Sequence, residues 1–467
     1  MKQFFKFTFA SILGFIIGSF ILVFILGAMF ASLVSALNKK EVRDVPYNSV
    51  LHITFSGPIL ERTDNNPINA IDFNTLKSNI QPGLNEILKS IDYATSDDRI
   101  SGVIIETADI DASLAAVGEI RDALKVFKNS GKFVVAYSDL YSQKSYYLSS
   151  VSDEIWMNPE GFVWFAGLSS QGPFFRGMFE KLGIEPQVIR KGKFKSAAEP
   201  FSEYEMSPAN KAQVKEYTDA VWTNLLTDIS SDRDIMIDEL HSSTDGPAFK
   251  RKGELLRLKM ITSSGYRDQF IDMVADRLDL QDDRTPAMIS VNDYHKVAKW
   301  PGGESLSRDK VAVIYASGNI IDGGNDESTI TASRYTKEIL SAGKDERIKA
   351  IVLRVNSPGG SAIASESILH AVNEVKKEKP VIVSMGGVAA SGGYDIRCSA
   401  DTIIASRNSL TGSIGVIGLM LNAQEFLNDK LGITVDGYKT SPYADFPNIS
   451  RPLSDGETEW IGPVSYT

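Results

Sequence analysis

Two side chains in this 467-residue chain stand out as able to do chemistry together, although they lie far apart. Ser391 sits in Met385-Gly386-Gly387-Val388-Ala389-Ala390-Ser391-Gly392-Gly393-Tyr394, where small neighbours leave room for a substrate backbone. Lys195 sits in Gly192-Lys193-Phe194-Lys195-Ser196-Ala197-Ala198-Glu199-Pro200-Phe201. An ordinary lysine, with a pKa of about 10.4, is protonated at neutral pH and is no base. Burial lowers that value, and Phe194, Ala197, Ala198 and Phe201 offer an apolar wall for it. Lys191 and Lys193, in the same segment, read as solvated. A serine with a desolvated lysine is the nucleophile–base pair of an acyl-transfer hydrolase.

Two further segments fit that chemistry. Asn356-Ser357-Pro358-Gly359-Gly360-Ser361 follows an apolar strand and precedes a helical stretch. A tight Pro-Gly-Gly turn there can aim backbone amides at one point, as an oxyanion hole requires. Gly359 and Gly360, with Gly392 beside the serine, are the candidate oxyanion-binding positions. An ordinary strand-to-helix turn uses the same residues. In Leu410-Thr411-Gly412-Ser413-Ile414-Gly415, Ser413 is placed either to orient the lysine amine or to bond its own loop.

The elements needed to position these residues occur twice. Val50–Ile59 matches Val311–Ile320, and Asp97–Ile105 matches Asp345–Leu353. Helical stretches follow at Leu114–Asn129 and Ala364–Lys377, then Lys132–Ala136 pairs with Lys379–Val383. Apolar strands alternating with helices predict an α/β fold with buried parallel strands. The expected layout is an anchor over 1–40, a first domain over 48–285 carrying the lysine, a linker over 286–309 and a second domain over 310–467 carrying the serine. The linker rests on Pro286, Pro301, Gly302 and Gly303. The first copy has neither the Gly-Gly turn nor the serine; Glu106-Thr107-Ala108-Asp109 and Lys144 stand there instead.

Composition excludes several alternatives. A net charge of −10 leaves no basic excess for nucleic acid. The single cysteine, Cys398, cannot form an intramolecular disulfide and reads as a small buried side chain. His52, His241, His295 and His370 form no paired metal-ligand pattern, so neither metal nor organic cofactor is expected. Phe7–Leu37 contains no charge and exceeds the roughly 20 residues that cross a bilayer. It predicts one N-terminal transmembrane helix; cleavage after Val34-Ser35-Ala36 stays open.

Taken together, the Phe194–Phe201, Asn356–Ser361, Met385–Tyr394 and Leu410–Gly415 motifs resemble the signal peptide peptidase A (protease IV) family in its long, duplicated bacterial form. The resemblance runs from about Val50 to Leu453. It implies tandem ClpP/crotonase-like domains, Ser391 as nucleophile, Lys195 as general base, Ser413 as the residue positioning the lysine, and oxyanion amides at the Gly359–Gly360 turn. It implies a membrane-anchored serine endopeptidase that degrades signal peptide remnants, faces the periplasmic side of the bacterial inner membrane and assembles as a homo-oligomer, a tetramer by resemblance. Membrane lipid and peptides are then the partners. Two departures stand out: Asp395 replaces an apolar or aromatic residue, and the second copy reads as C-terminally truncated at Thr467, which should expose apolar surface. A crotonase-like acyl-CoA enzyme and a catalytically inactive scaffold are the alternative readings.

Overall fold

The computed structural model describes residues 2–38, 44–63, 71–72, 77–78, 81–281, 285–298, 308–324, 326 and 328–464. Lys2–Asn38 is one helix. Within it, Lys6–Met29 is long and apolar enough to cross a membrane, and none of that stretch is buried in the protein. At 1.5 Å per residue its 24 residues span roughly 36 Å, more than a bilayer's hydrocarbon core.

The remaining chain builds two parallel sheets. The first has six strands in the order Ser263–Ser264, Glu154–Met157, Phe133–Ser138, Ile100–Glu106, Ser49–Ile53, Met288–Ser290. The second runs Lys310–Ser317, Ile348–Ser357, Val381–Ala390, Thr402–Ala405, with Leu410–Gly412 pairing the far end of Val381–Ala390. Their strands are apolar runs because helices cover them. Leu84–Ser96 and Leu114–Asn129 pack on one face of the first sheet, and Phe270, Val274 and Leu278 from the Arg267–Arg277 helix and its end close the other. Ala332–Lys344 and Ala362–Lys376 cover the second sheet.

The duplication extends to individual hydrogen bonds. Arg99 Nε donates to Asp97 and Arg347 Nε to Asp345, at 2.9 and 3.1 Å. Lys132 Nζ donates to the carbonyls of Ala94 and Asp97, and Lys379 Nζ to those of Ala342 and Asp345. Asp153 accepts from the Val134 amide and Asp401 from that of Val381, both at 2.8 Å. The halves differ in cover: Val50 is fully buried, whereas its counterpart Val311 is 58% exposed and Ile404 57%.

Several contacts join the halves, among them the following. Glu185–Arg190 pairs antiparallel with Ile417–Asn422. Arg354 of the second sheet donates to Glu61 at 2.8 Å and to Glu119 at 2.7 Å, both from the first half. Ser113 abuts Gly387 so closely that a Cβ there would lie 2.4 Å from the serine Cβ.

Two expectations need correction. The segment expected as a linker, 286–309, begins inside the first domain. Met288–Ser290 adds an edge strand beside Ser49–Ile53. Val291–Val297 then forms a helix, capped by the Ser290 hydroxyl accepting from the Asp293 amide at 3.1 Å. The apolar pair Met288-Ile289 and the capping serine outweigh the breaker signal of Pro286. Pro301, Gly302 and Gly303 lie outside the described residues. The strand expected over Lys379–Val383 also runs on through Gly386 and Gly387 to Ala390. These glycines let Asn356, Glu61 and Ser113 approach the strand, so they belong to it.

Candidate active site

The Val381–Ala390 strand delivers Ser391 to a sharp turn into the short helix Gly392–Asp395. Ser391 has φ 55° and ψ −122°, a conformation that L-residues rarely adopt. It is held there by its own amide donating to the Gly412 carbonyl at 2.9 Å. The Tyr394 and Asp395 amides donate to its carbonyl at 2.8 and 2.9 Å. The strained turn raises the hydroxyl clear of the strand, as in a nucleophile elbow without the Gly-x-Ser-x-Gly pattern.

Lys195 arrives from the other half of the molecule. The antiparallel strand pair is extended by the Lys191 amide donating to the Val416 carbonyl at 3.1 Å, which lays residues 191–195 along residues 412–416. Gly415 makes this approach possible, because a Cβ on it would stand 2.3 Å from the Lys191 carbonyl oxygen. Lys195 Nζ then lies 2.9 Å from Ser391 Oγ and 3.1 Å from Ser413 Oγ, and it also donates to the Ser413 carbonyl.

Of the three neighbouring lysines, only Lys195 is buried, at 6% exposure. Burial pushes its pKa below the ordinary lysine value, and the Asp395 carboxylate opposes that shift. The expected apolar wall is only partly present. Ala198 is buried, but Ala197 and Phe194 are exposed, and Lys193 lies over the Phe194 ring. Backbone and hydroxyl groups of the 412–415 loop enclose the amine in their place. A neutral amine has two N–H donors and one lone pair. Donation to the Ser413 carbonyl and hydroxyl leaves that lone pair for the Ser391 O–H, whereas the ammonium form has no acceptor at all.

The Gly359–Gly360 turn stands directly against Ser391. A Cβ on Gly359 would lie 2.7 Å from Ser391 Cβ, and the residue has φ 99°. Gly360, at φ 153°, is clamped because Ile320 exchanges bonds with both sides of it: its amide donates to the Gly359 carbonyl and its carbonyl accepts from the Ser361 amide, each at 2.9 Å. The three expected oxyanion amides are not equivalent. The Gly359 amide already donates to the buried Ser357 hydroxyl at 3.1 Å. The Gly360 and Gly392 amides have no acceptor among the described residues, and Gly392 is the first residue of its helix. Gly359 therefore supplies space, while Gly360 and Gly392 supply open donors.

Sequence reasoning missed Glu199. It is 1% exposed and accepts from the Ser207 amide and hydroxyl, from Asn210 Nδ2 and from Arg190. Burial pushes its carboxyl up, but these donors outweigh that and hold it below the usual range. The cluster pins the chain just after Lys195. Its signal was a carboxylate four residues past the lysine in an otherwise small, apolar segment. Cys398, expected to be buried, is exposed and donates to the Tyr394 carbonyl, because it falls on the outer side of the turn after the short helix. Among the described residues no group of three or more His, Cys, Asp or Glu could hold a metal ion.

The two halves are tandem α/β units with parallel sheets, and an alcohol and a buried amine meet between them. Residues 126–281 and 373–461 match peptidase family S49, and the chain belongs to that family. It is 36% identical over 391 residues to Protease 4 of Haemophilus influenzae, covering 79% of this chain and 62% of that protein. It is 32% identical over 418 residues to the chloroplastic serine protease SPPA of Arabidopsis thaliana, covering 88% and 60%. Protease 4 of Salmonella typhi is 33% identical, covering 79% and 60%. The chain thus spans about three fifths of the length of these relatives. Residues 310–411 also match a CoA-ligase description. A solved structure of a ClpP1 point mutant from Listeria monocytogenes is 25% identical, with a TM-score of 0.16 over 19% of this chain and 46% of that one.

Proposed function

We propose that the protein is a membrane-anchored serine endopeptidase that cleaves signal peptide remnants and similar apolar peptides. Ser391 Oγ attacks the scissile carbonyl carbon while its proton passes to neutral Lys195 Nζ. The oxyanion that forms takes hydrogen bonds from the Gly360 and Gly392 amides. Lysine then protonates the leaving amine, and an acyl-enzyme remains on Ser391. Water gives a proton to the same amine and adds to the ester; the amine then returns that proton to Ser391 Oγ as the ester C–O bond breaks and the acid leaves. Ser413 positions the lysine throughout.

The observation that carries this reading is the 2.9 Å approach of Lys195 Nζ to Ser391 Oγ within one chain. The relatives named Protease 4 and serine protease SPPA support it. The apolar Lys6–Met29 helix supports anchoring in the inner membrane, with the catalytic part on its outer, periplasmic side. A homo-oligomer, a tetramer by family resemblance, completes the proposal.

The test is labelling of the full chain with a fluorophosphonate probe, together with turnover of an apolar peptide ester. Wild type should label and turn over. Ser391→Ala should lose both, and Lys195→Ala should lose turnover by about 100-fold or more. Undiminished labelling of Ser391→Ala would end the proposal. The acyl-CoA reading has one observation in its favour, the match over residues 310–411. Thioester turnover that survives Ser391→Ala would support it instead.

A further inference from the structure

One long helix touches both of the chain segments that meet at the site. Pro208–Arg233 buries polar side chains as well as apolar ones: Asn210 is 8% exposed and Asp228 7%. The two stand eighteen positions apart, about five turns and about 27 Å along the axis. At 3.6 residues per turn, Gln213 and Asn224 fall within about 60° of the same line. These four side chains form one polar stripe along the helix.

The N-terminal end of the stripe holds the lysine segment. Asn210 Nδ2 donates to Glu199 at 2.9 Å, and Gln213 Nε2 donates to the Ser196 hydroxyl at 2.8 Å. Both acceptors come just after Lys195. The other end holds the second half of the molecule. Asn224 Nδ2 donates to the Arg407 carbonyl at 3.2 Å and to Asn408 Oδ1 at 3.0 Å. Asp228 accepts from Arg407 on one oxygen and from the Tyr147 hydroxyl on the other, each at 2.5 Å. Asn408 is 4% exposed, and the chain runs on from it into Leu410–Gly412 and Ser413. The antiparallel strand pair fixes the lysine segment from upstream, at Lys191. The helix fixes it from downstream.

We infer that the helix Pro208–Arg233 is a strut that keeps the Lys195 segment and the Arg407–Ser413 segment in step, so that Asn224 and Asp228 are positioning residues for the Ser391–Lys195 pair without touching it. This rests on the serine–lysine reading above. A rigid element fastened to both segments keeps the amine against the Ser413 loop, where the strand pair alone would act as a hinge. Loosening the Arg407–Asn408 end lets that loop move off the amine. Water then reaches Lys195, and burial depresses its pKa less.

The test compares Asn224→Ala, Asp228→Asn, Arg407→Gln and the last two combined, all in the full chain. Tyr294→Phe is the control; it removes a 2.9 Å hydroxyl bond to Asp97 that involves no residue of the helix. Each single change at the strut should lower kcat on the peptide ester about fivefold and leave KM nearly as it was. The ascending limb of kcat/KM should move to higher pH. The combined variant should be no slower than its slower parent, because both changes cut one connection. Amide hydrogen exchange should speed up over Leu410–Val416 and at Ser391, whose amide donates to the Gly412 carbonyl. Tyr294→Phe should leave the limb in place. Losses in kcat that add in the combined variant would overturn the inference, as would unchanged exchange over Leu410–Val416 in Asp228→Asn. An equal movement of the limb in Tyr294→Phe would overturn it too, since the limb would then report stability and not position. Exchange is followed in an inactive Ser391→Ala background as well. A failed strut shows there as unchanged exchange, whereas a failed serine–lysine reading shows as turnover that survives Ser391→Ala.

Discussion

Lys195 Nζ and Ser391 Oγ are 2.9 Å apart although 196 positions of chain separate them. The pair exists only because a strand of each half, Glu185–Arg190 and Ile417–Asn422, zips antiparallel just upstream and downstream of the two loops. One half supplies the amine and the other the alcohol, and neither half holds both.

The charge around the amine sets the pH response. Burial lowers the Lys195 pKa and Asp395 raises it, so the carboxylate favours the protonated, inactive form. Turnover should therefore rise with pH through the lysine titration. Asp395→Asn removes the opposing charge, so the ascending limb of kcat/KM should move to lower pH with its plateau little changed. A limb that stays in place, or moves to higher pH, contradicts this account. A shift of the limb to lower pH would mean that Asp395 sets the pH range of turnover through its charge beside Lys195.

Ser413 offers the amine two acceptors, its carbonyl and its hydroxyl. Ser413→Ala deletes one and keeps the other. The expected result is a partial loss of kcat, on the order of tenfold, well short of the loss from Lys195→Ala. KM should barely move, because the hydroxyl faces the lysine. A collapse as deep as that of Lys195→Ala would mean that the carbonyl contact does not hold the amine alone.

The strands were legible because their apolar runs are local and occur twice, as in Val103-Ile104-Ile105 and Val352-Leu353. The reactive residue types were legible because a serine among glycines and a lysine among alanines are both unusual. The joint between the halves was not. Pairing between Glu185–Arg190 and Ile417–Asn422 leaves no local periodic mark of which partner each strand takes. The three-residue strand Met288–Ser290 is too short to show a strand's alternation in the sequence. Engagement of the Gly359 amide by Ser357 depends on a side-chain rotamer that residue type does not reveal.

The Gly359 position separates space from hydrogen bonding. Its amide is already engaged, yet a Cβ would press within 2.7 Å of Ser391 Cβ and within 2.6 Å of the Gly392 amide nitrogen. Gly359→Ala should therefore lower kcat steeply by displacing the serine and one oxyanion donor together. Probe labelling of Ser391 should fall in parallel, while far-UV circular dichroism stays native. Full labelling in this variant would show that the turn yields without moving the serine.

Arg354 is one electrostatic joint between the two halves, as the Arg407–Asp228 pair is another, and its removal has a definite pH signature. Its guanidinium is 11% exposed and donates to Glu61, Glu119 and Ser384 at 2.8, 2.7 and 2.9 Å. Arg354→Met leaves two carboxylates facing each other in a partly buried cleft, and breaking such a cluster from one side costs about 3 kcal/mol. Burial already pushes the Glu119 carboxyl above its ordinary value, with Arg354 opposing. Without the arginine it should rise further, so the folded variant takes up a proton more readily than the unfolded chain. Stability then increases as pH falls toward the raised value. Denaturant midpoints should show Arg354→Met well below wild type at pH 8, with the gap narrowing at pH 5.5. A gap that is constant or widens on acidification would mean that the carboxylates find other partners and that the cleft is not held by this cation.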